Sequence, residues 1–467
     1  MSEAVKKARP SRKAMLLAAQ NVVDRVRRPA DPPRASGQPS RRTDFSSLPS
    51  YRELKRHRAA ADVVGVASPF FKLHEGRSGA TCSIDGRTYL NFASYDYVGL
   101  NGEPDVVEAA KSAIDIYGTS VSASRPTAGD RPLHRELEHE IAALYGSEDA
   151  LCFVSGHGTN VSVVGELLGQ GDLIVFDSLC HNSIVLGTKL SAAARMSYPH
   201  NDMAALDRLL SECRHNYHRV LIVAEGLYSM DGDIVQLPEL VELKKHHDAW
   251  LMIDEAHSLG VLGRTGAGVF EHFGIPPTDV DIWMGTLSKA LSGCGGYIAG
   301  SRQLIEILKF HASAFMFSVG MSPPVAAAAL ASLRLMRREP ERVTALQRNG
   351  ALFVDECRRL GLDPGLSAGY SIGVVLIGDS LRAAKLAERL FDRGINTIPV
   401  TYPAVPMRAA RLRFFLTSDH SDAQIKEAVR TTREEIDRLA KENFGLKAAA
   451  LAARLLTPSL FMIVGGL

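Results

Sequence analysis

The chain has 467 residues, of which 46% are hydrophobic and 23% are charged, and its formal net charge is +2. That length leaves room for about three average domains, although large α/β enzymes often use it in two. A charge so close to zero gives no support for a general role in binding nucleic acids or other polyanions.

The cysteines and the apolar stretches bear on the compartment of the protein. Six cysteines are scattered along the chain with no Cys-x-x-Cys pair, which favours a reduced cytosol over a disulfide framework or a zinc site. Residues 1–28 lack the apolar core of a signal peptide, and no internal stretch is long and apolar enough to span a bilayer. These features predict a soluble, cytoplasmic protein of enzyme size, and they leave peripheral contact with a membrane open.

The two ends of the chain differ in composition from the rest. Residues 1–48 are basic and rich in Pro, Ser and Arg, which predicts a short amphipathic helix near residues 12–28 followed by a disordered linker. A solvated tail is favoured over one that docks on a partner or an anionic surface. Residues 442–467 are rich in Ala and Leu and contain Pro458. A helix packed on the protein or on a partner is favoured there over a membrane anchor.

An N-terminal segment, residues 49–105, leads into the main body of the chain. Residues 89–92 alternate like a strand, and residues 94–100 are irregular. Helical patterns at 104–117 and 134–145 flank a small, hydroxylated stretch, 118–129, that suits a loop beside a ligand.

A repeated pattern of short apolar runs then predicts a largely parallel sheet flanked by helices. Apolar runs at 151–154, 173–176, 220–223 and 250–253 each end in polar or glycine residues, with helical patterns between them. Ligands of such sheets bind beyond the carboxyl ends of the strands, where these polar residues would cluster. We therefore expect the functional site at that edge.

The C-terminal part of the chain predicts a smaller α+β unit. Residues 301–338 are mostly helical with a break at 317–324, and a long helix follows. Strands are expected at 372–377, 396–400 and 412–416, and helices at 383–392 and 423–441. The predicted division is a large domain at 106–335 and a small domain at 336–441.

One lysine stands out within this scheme. The apolar run 282–284 leads into Thr286-Leu287-Ser288-Lys289 and then into a glycine-rich stretch. A lysine at the end of a buried strand, surrounded by small residues, can lose its proton and attack carbonyl groups. Taken alone, a surface lysine in a flexible loop is equally well supported.

Three chemistries compete for the polar residues at the strand ends. Asp254-Glu255-Ala256-His257 has the form of a helicase box, but that reading needs a phosphate loop with a Gly-Lys pair, and the chain contains none. A zinc site using His257 and His181 lacks the usual His spacing and thiolate pairs. Both alternatives are weak.

Pyridoxal 5'-phosphate (PLP) explains the set better. It needs a lysine for a Schiff base, a carboxylate beside its ring nitrogen and several donors for its phosphate. Lys289 and Asp254 would supply the first two, and Gly156, Thr286 and Ser288 the donors. A single histidine such as His181 is more often plain surface or core, so its place on the cofactor ring depends on these neighbours.

With these residues in place, the sequence resembles the α-oxoamine synthases, fold-type I PLP enzymes that join an amino acid to an acyl thioester with loss of carbon dioxide. The family includes serine palmitoyltransferase and aminooxononanoate synthase. The resemblance covers about residues 65–440, and the matching stretches are 94–100, 155–160, 177–184, 225–233, 254–260, 286–289, 318–323 and 402–416. It implies an α/β fold with a mostly parallel, seven-stranded sheet in the large domain and a smaller C-terminal α+β domain.

The resemblance also implies roles at the reacting end of the cofactor. Lys289 would form the Schiff base and later move the α-proton of the substrate. Asp254 would pair with the pyridinium nitrogen, His257 would hydrogen-bond the phenolic oxygen, and His181 would stack on the ring.

Further roles concern the phosphate and the cofactor's surroundings. The backbone of Gly156 and His157, together with Thr286, would hold the phosphate, and Ser229 would lie close to the cofactor. His157 replaces the Phe or Tyr common in the family, so its phosphate contact must come from the backbone. Ser318 would reach the phosphate of the neighbouring subunit, since family active sites form at a homodimer interface.

The substrates follow from the same resemblance. Arg413 would grip the amino-acid carboxylate, and Tyr95, which stands where some members have Asn, would contact the substrate as in serine palmitoyltransferase-like members. The expected C-acyltransferase reaction condenses serine, glycine or alanine with an acyl thioester of coenzyme A or of an acyl carrier protein. The products are an α-aminoketone, carbon dioxide and free thiol.

The acyl donor and two rival functions remain open at this point. Residues 399–406 contain no arginine at the place where aminooxononanoate synthase receives its acid-tailed acyl chain. This favours an apolar donor and the serine palmitoyltransferase-like branch of lipid or polyketide assembly. The alternatives are another fold-type I reaction, such as transamination or aldol cleavage, and a non-catalytic binding protein that retains the fold.

Overall fold

The structure, a computed structural model, describes residues 43–63, 65–402, 404–406 and 408–445. The predicted N-terminal helix, its linker and nearly all of the apolar C-terminal tail therefore lie outside the described residues. Residues 1–60 and 61–467 form two separate compact units. In the first unit the described elements are a 3-10 helix at Phe45–Ser47, capped by the Asp44 carboxylate, and most of helix α1, Pro49–Val63.

The second unit contains all the described strands. They are β1 His74–Glu75, β2 Thr81–Ile84, β3 Arg87–Asn91, β4 Asp149–Phe153, β5 Leu173–Asp177, β6 Ala194–Tyr198, β7 Val220–Glu225, β8 Trp250–Asp254, β9 Ile282–Thr286, β10 Gly296–Gly300, β11 Ile372–Gly378, β12 Ile395–Asn396, β13 Ile398–Val400 and β14 Ala410–Phe415.

Helices of the second unit alternate with these strands. They are α2 Pro104–Tyr117, α3 Pro132–Leu144, α4 Gly156–Glu166, α5 Asn182–Leu190, α6 Met203–Cys213, α7 Leu237–His246, α8 Val269–Phe273, α9 Arg302–His311, α10 Ser313–Met316, α11 Pro323–Arg338, α12 Glu341–Arg359, α13 Ser380–Asp392 and α14 Asp422–Lys441. Arg125–Gly129 forms one π-helical turn, and short 3-10 turns lie at Arg214–Asn216 and Pro277–Asp279.

The large sheet confirms the predicted α/β fold. Its seven strands are ordered β4-β10-β9-β8-β7-β5-β6, and β10 alone runs antiparallel to its two neighbours. The five apolar runs expected as strands are β4, β5, β7, β8 and β9. Strands β6 and β10 were not predicted.

Both faces of this sheet are buried, as expected for parallel strands covered by helices. Leu251 and Ile253 of β8 pack into one apolar cluster, while Met252 between them packs into the other. Trp283 of β9 joins the first cluster and Met284 joins the second. The strands are therefore fixed from two sides, and so are the residues at their ends.

Two smaller sheets complete the second unit. Strands β11, β14 and β13 form an antiparallel sheet in the predicted C-terminal α+β part. In the other sheet, ordered β1-β2-β3-β12, strand β12 pairs in parallel with β3, so residues 395–396 join the segment that precedes the large sheet. Helix α11 runs through residue 335. The domain boundaries at 48, 105, 335 and 441 stay predictions.

No helix in the part of the chain that the structure describes has both the length and the apolar character needed to cross a membrane.

Candidate active site

The carboxyl edge of the large sheet brings the predicted polar residues together. Glu225 ends β7, Asp254 ends β8 and Thr286 ends β9. Glu225 and Asp254 are paired in register on neighbouring parallel strands. Lys289 follows β9 by three residues, so its amine is delivered to the same edge.

Asp254 is a buried and firmly oriented carboxylate. It is 4% exposed, its Oδ2 accepts a hydrogen bond from Asn160 Nδ2 over 2.7 Å, and its Oδ1 accepts one from the amide of Ala256 over 2.9 Å. Asn160 Nδ2 also donates to Ser183 Oγ over 3.0 Å. A carboxylate held in this way suits a fixed positive partner, such as a protonated ring nitrogen.

Lys289 has the electrostatics of a reactive amine. Burial lowers its pKa, while the carboxylates of Asp254 and Glu225 act in the opposite direction. Its Nζ lies 5.8 Å from the ring centroid of Tyr95. A lysine whose charged form is disfavoured exposes a free amine more readily, which the proposed Schiff-base role requires.

His181 lies at the start of α5, directly beside these groups. Its backbone N–H donates to the Glu225 carboxyl, and its Nδ1 lies 2.7 Å from Ser183 Oγ. The ring of His157 meets it edge-on at 6.1 Å between centroids. The His181 ring is exposed and its orientation is fixed by Ser183, as a stacking surface for a planar ligand requires.

Glu225, which was not predicted as a site residue, contacts His181 through its carboxyl group. It is 3% exposed, and burial, then the nearby charge of Asp254, raises its pKa well above the usual value of a glutamate. The protonated form of Glu225 is therefore more favoured than that of an ordinary, exposed glutamate.

His257 is buried and lies against a tyrosine. Its Nδ1 is 2.6 Å from the hydroxyl of Tyr97, and it is 8% exposed. Burial lowers the pKa of His257 well below its ordinary value, and the positive charges of Lys289 and Arg413 lower it further. The imidazole is therefore neutral.

The N-terminus of α4 approaches the end of β9 closely enough to form an anion cradle. A Cβ on Gly156 would lie 2.7 Å from Thr286 Oγ1, so only glycine permits this approach. Thr286 Oγ1 lies 2.7 Å from Ser288 Oγ and donates to the Gly295 carbonyl over 2.9 Å. Free N–H groups, the helix dipole and two hydroxyls together suit a phosphate. His157 lies exposed on the same first turn of α4.

Arg413 on β14 offers an unused donor. Its Nη1 donates to the Ser229 carbonyl over 2.8 Å, while its buried Nε has no hydrogen-bond partner. Its guanidinium carbon lies 4.6 Å from the ring centroid of Phe415, and burial lowers its pKa. A buried, partnerless guanidinium N–H is costly unless a ligand accepts from it, and a carboxylate is the matching acceptor.

Tyr95 and Ser318 are placed differently. Tyr95 is 43% exposed and meets Phe415 edge-on at 4.8 Å, so it borders the same cleft as Lys289 and Arg413. Ser318 lies between α10 and α11, and its amide donates to the Phe315 carbonyl over 3.4 Å. Within the described residues it forms no hydrogen bond with another predicted site residue, and its role toward a neighbouring subunit stays a proposal.

These groups fit PLP. An amine of lowered pKa, a buried carboxylate, a helix N-terminus with two hydroxyls and a free guanidinium donor are the features that the cofactor and an amino-acid substrate need. The glycines after Lys289 leave no spare space for side chains, since a Cβ on Gly296 would lie 2.5 Å from Thr159 Oγ1.

Four supporting residues were missed by sequence reasoning about individual side chains. Tyr97, Asn160, Ser183 and Glu225 all lie inside stretches that match the family, but their roles depend on contacts across the fold. Only their position beside predicted site residues could have singled them out.

Comparisons with known proteins agree with this geometry. The sequence profile of the aminotransferase class I and II family matches residues 87–431. The 8-amino-7-oxononanoate synthase of Treponema denticola is 38% identical over 356 residues, which is 76% of this chain and 90% of that protein.

Solved structures of serine palmitoyltransferase have the same fold. The Sphingomonas wittichii enzyme matches with a TM-score of 0.79 and 30% identity, over 84% of this chain and 98% of that chain. A variant of the S. paucimobilis enzyme with a bound PLP–myriocin aldimine matches with a TM-score of 0.81 and 28% identity, over 85% of this chain and 99% of that chain.

The expected cofactor and fold are thereby confirmed, and the matches include both of the branches that the sequence raised. The chain belongs to the aminotransferase class I and II family of PLP-dependent, fold-type I enzymes, and within it to the α-oxoamine synthases.

Proposed function

We propose that the protein condenses a small L-amino acid, serine, glycine or alanine, with an acyl thioester. The condensation releases carbon dioxide and free thiol and forms an α-aminoketone. The observation that carries this proposal is the convergence on one cleft of the Lys289 amine, the buried Asp254 carboxylate and the partnerless Nε of Arg413. When bound, PLP supplies an electron sink for the negative charge that develops at the substrate α-carbon.

The residues of this chain would then bind, orient and move protons. Lys289 would anchor the cofactor and carry the proton to and from the α-carbon. Asp254, oriented by Asn160, would keep the ring nitrogen protonated, and the exposed ring of His181 would stack on the cofactor. Arg413 would hold the amino-acid carboxylate through its Nε, which has no partner in the protein.

The phosphate end and the subunit contact complete the proposal. The backbone amides of Gly156 and His157 would bind the phosphate at the start of α4. The Thr286 hydroxyl would join them by turning its proton from the Gly295 carbonyl to the phosphate. Ser229 would lie close to the cofactor, next to Arg413. Ser318 would serve the neighbouring active site in a homodimer, and Phe317 beside it, 85% exposed, supplies apolar surface for that contact.

For the acyl donor we propose an apolar chain. Residues 399–406 carry no arginine, and Val400 and Val405 are each 5% exposed, while Tyr402 is 55% exposed. These side chains offer no positive charge to a carboxylate at the end of an acyl chain. The carrier of the thioester, coenzyme A or an acyl carrier protein, is identified by the experiment below.

The decisive experiment is a matrix of amino acids against thioesters. Glycine, alanine and serine are each combined with coenzyme A and carrier-protein thioesters of varied length, including one whose acyl chain ends in a carboxylate, and the product mass is read. We expect one pair with an apolar chain to release thiol and carbon dioxide together. An enzyme that binds PLP but releases neither from any pair would refute the synthase proposal, and a preference for the carboxylate-ended chain would refute the apolar donor alone.

A lysine variant tests the anchor in the same assay. Lys289→Ala should lose the visible absorbance of the covalently held cofactor and the condensation activity together. Lys189→Ala is the matched control, since Lys189 is exposed on α5.

A further inference from the structure

Tyr97 and His257 form a buried hydrogen-bonded pair beside the site. The Tyr97 side chain is fully buried, and its hydroxyl lies 2.6 Å from His257 Nδ1 although the two residues are 160 positions apart. Among the described residues the one other polar group that acts on the Tyr97 hydroxyl as a hydrogen-bond neighbour is the buried Ser371 hydroxyl, which has no other partner. Whether Tyr97 donates or accepts in the hydrogen bond with His257 therefore decides which ring nitrogen of His257 carries the proton.

The hydroxyl must be the donor. If Tyr97 accepted from His257, one buried hydroxyl proton would have no partner: its own, or that of Ser371 if Tyr97 donated to Ser371. Either case costs the desolvation of that group, whereas Ser371 can donate to Tyr97 while Tyr97 donates to His257. Burial raises the pKa of Tyr97, so its proton is retained, and His257 is a neutral imidazole as shown above. A neutral imidazole carries one proton, and when Nδ1 accepts, that proton lies on Nε2.

We propose that Tyr97 is a positioning residue that holds His257 in its Nε2–H tautomer, so that the ring presents a donor to the phenolic oxygen of bound PLP. The part of this inference that concerns the cofactor rests on the proposed function, which places His257 at that oxygen. The pairing of Tyr97 with His257 is independent of the proposed function. With the other tautomer, Nε2 would present a lone pair to an oxygen that is itself an acceptor, and the contact would be repulsive.

Nuclear magnetic resonance of the cofactor-free protein tests the pair directly. The protein is labelled with ¹⁵N-histidine, and the His257 signals are assigned by their absence from His257→Gln. Wild type should show Nε2–H alone. Tyr97→Phe keeps the ring packing and removes the donor, and the ratio of the Nδ1–H to the Nε2–H form should rise by about fivefold or more. A wild-type protein with Nδ1–H, or a Tyr97→Phe spectrum with an unchanged ratio, overturns the proposal.

The cofactor-loaded enzyme gives the second readout. Tyr97→Phe should change the ratio of the visible to the near-ultraviolet absorbance of bound PLP, because the phenolic oxygen loses a fixed donor. Tyr198→Phe is the matched control, since the buried Tyr198 hydroxyl has no hydrogen-bond partner, and it should leave that ratio as in wild type. An unchanged ratio in Tyr97→Phe overturns the link to the cofactor.

The outcomes separate the two proposals. If Tyr97→Phe does not fold, the wild-type tautomer alone still decides the direction of the hydrogen bond. A protein with the Nε2–H form but no condensation activity keeps the pair and loses the proposed function. An active synthase with Nδ1–H keeps its function and loses the pair.

Discussion

The side-chain amide of Asn160 holds the carboxylate of Asp254 through a hydrogen bond of 2.7 Å, between residues 94 positions apart. The same Nδ2 donates to Ser183 Oγ, so one amide ties the first turns of α4 and α5 to the end of β8. Asp254 is thus oriented by the helices that carry the phosphate cradle and the stacking histidine. The parts of the site that meet opposite ends of a cofactor are fixed to one another.

Replacing Asn160 by Ala should weaken cofactor binding. Hydrogen bonds to charged groups contribute about 1.5–3 kcal/mol, so the dissociation constant of PLP should rise by about tenfold or more. The measurement is a titration of cofactor-free protein with PLP. Asn216→Ala, at an exposed residue, is the control and should bind as wild type. Equal PLP affinities for Asn160→Ala and wild type would mean that cofactor binding does not depend on the hydrogen bond from Asn160 to Asp254.

Arg413→Lys should separate the two substrates of the reaction. Lysine keeps the charge but loses the planar fork that matches a carboxylate, and it cannot replace both the Ser229 contact and the free Nε. The KM for the amino acid should rise by about tenfold or more, while the KM for the thioester stays near its wild-type value. Arg195→Lys, at an exposed residue of β6, should change neither. A rise in the thioester KM alone would place Arg413 elsewhere in the reaction.

Glu225 and Asp254 should respond in opposite ways to conversion into the amide. Burial and the charge of Asp254 favour the protonated form of Glu225, and Glu225→Gln supplies a neutral group of the same shape as that form. It should keep the midpoint of thermal unfolding within a few degrees and retain bound PLP. Asp254→Asn removes the charge proposed to hold the ring nitrogen protonated, and activity should fall by about 100-fold or more. Similar losses in both variants would show that Glu225 works as an anion.

The sequence alone predicted the parts of the fold that depend on local pattern. The apolar runs of β7 and β8 and their polar ends are visible as short segments, because strands buried on both faces are apolar along their whole length. Strand β6 was not predicted because it is an edge strand, and residues 194–197 alternate between half-buried and exposed instead of forming an apolar run. Strand β10, Gly-Tyr-Ile-Ala-Gly, looked like a continuation of the glycine-rich loop, and only pairing with β4 and β9 makes it a strand.

The site residues divide in the same way, into those predicted from local sequence pattern and those positioned by long-range contacts. Lys289, Asp254 and His181 follow apolar runs, so their shared edge could be predicted from chain order. The partners that orient them could not, because the Tyr97–His257 and Asn160–Asp254 contacts are formed only when distant segments pack together. Residue type gave no warning either, because Asn is mostly exposed in proteins and nothing in the sequence marks Asn160 as buried.

His200 should make stability depend on pH. Burial alone would lower its pKa, but hydrogen bonds and charges from Asp177 and Asp233 raise it from 6.5 to about 10. A raised pKa means that the protonated form is bound more tightly in the folded state, so this contribution is complete below pH 6.5 and is lost as the pH rises through about 10. His200→Gln should therefore lower the thermal midpoint most below pH 6.5, corresponding to about 1–3 kcal/mol.

The measurement for His200 is thermal unfolding of both proteins between pH 6 and pH 10.5 (about half a unit beyond each end of the titration). The difference between wild type and His200→Gln should shrink steadily toward alkaline pH. His215→Gln, at an exposed histidine, supplies the baseline. A difference that stays constant over this range would mean that His200 is neutral in the folded protein.

Two glycines on the first turn of α4 provide the sharpest test of the phosphate cradle. A Cβ on Gly156 would lie 2.7 Å from Thr286 Oγ1, whereas a Cβ on Gly158 would have its nearest neighbour at an ordinary 3.4 Å. Gly156→Ala must push Thr286 or the helix N-terminus aside, so the proposed phosphate donors no longer converge. PLP affinity should fall by about tenfold or more, because charge-assisted hydrogen bonds are lost.

Gly158→Ala adds the same methyl group to the same helix without this clash, so it should bind PLP within about threefold of wild type. Inorganic phosphate, tested as a competitor, should reduce PLP binding to wild type and to Gly158→Ala at similar concentrations. It should reduce PLP binding to Gly156→Ala only at higher concentrations. If the two alanine variants bind PLP and phosphate equally well, the phosphate does not lie between α4 and Thr286. In that case the close approach of Gly156 to Thr286 serves packing alone.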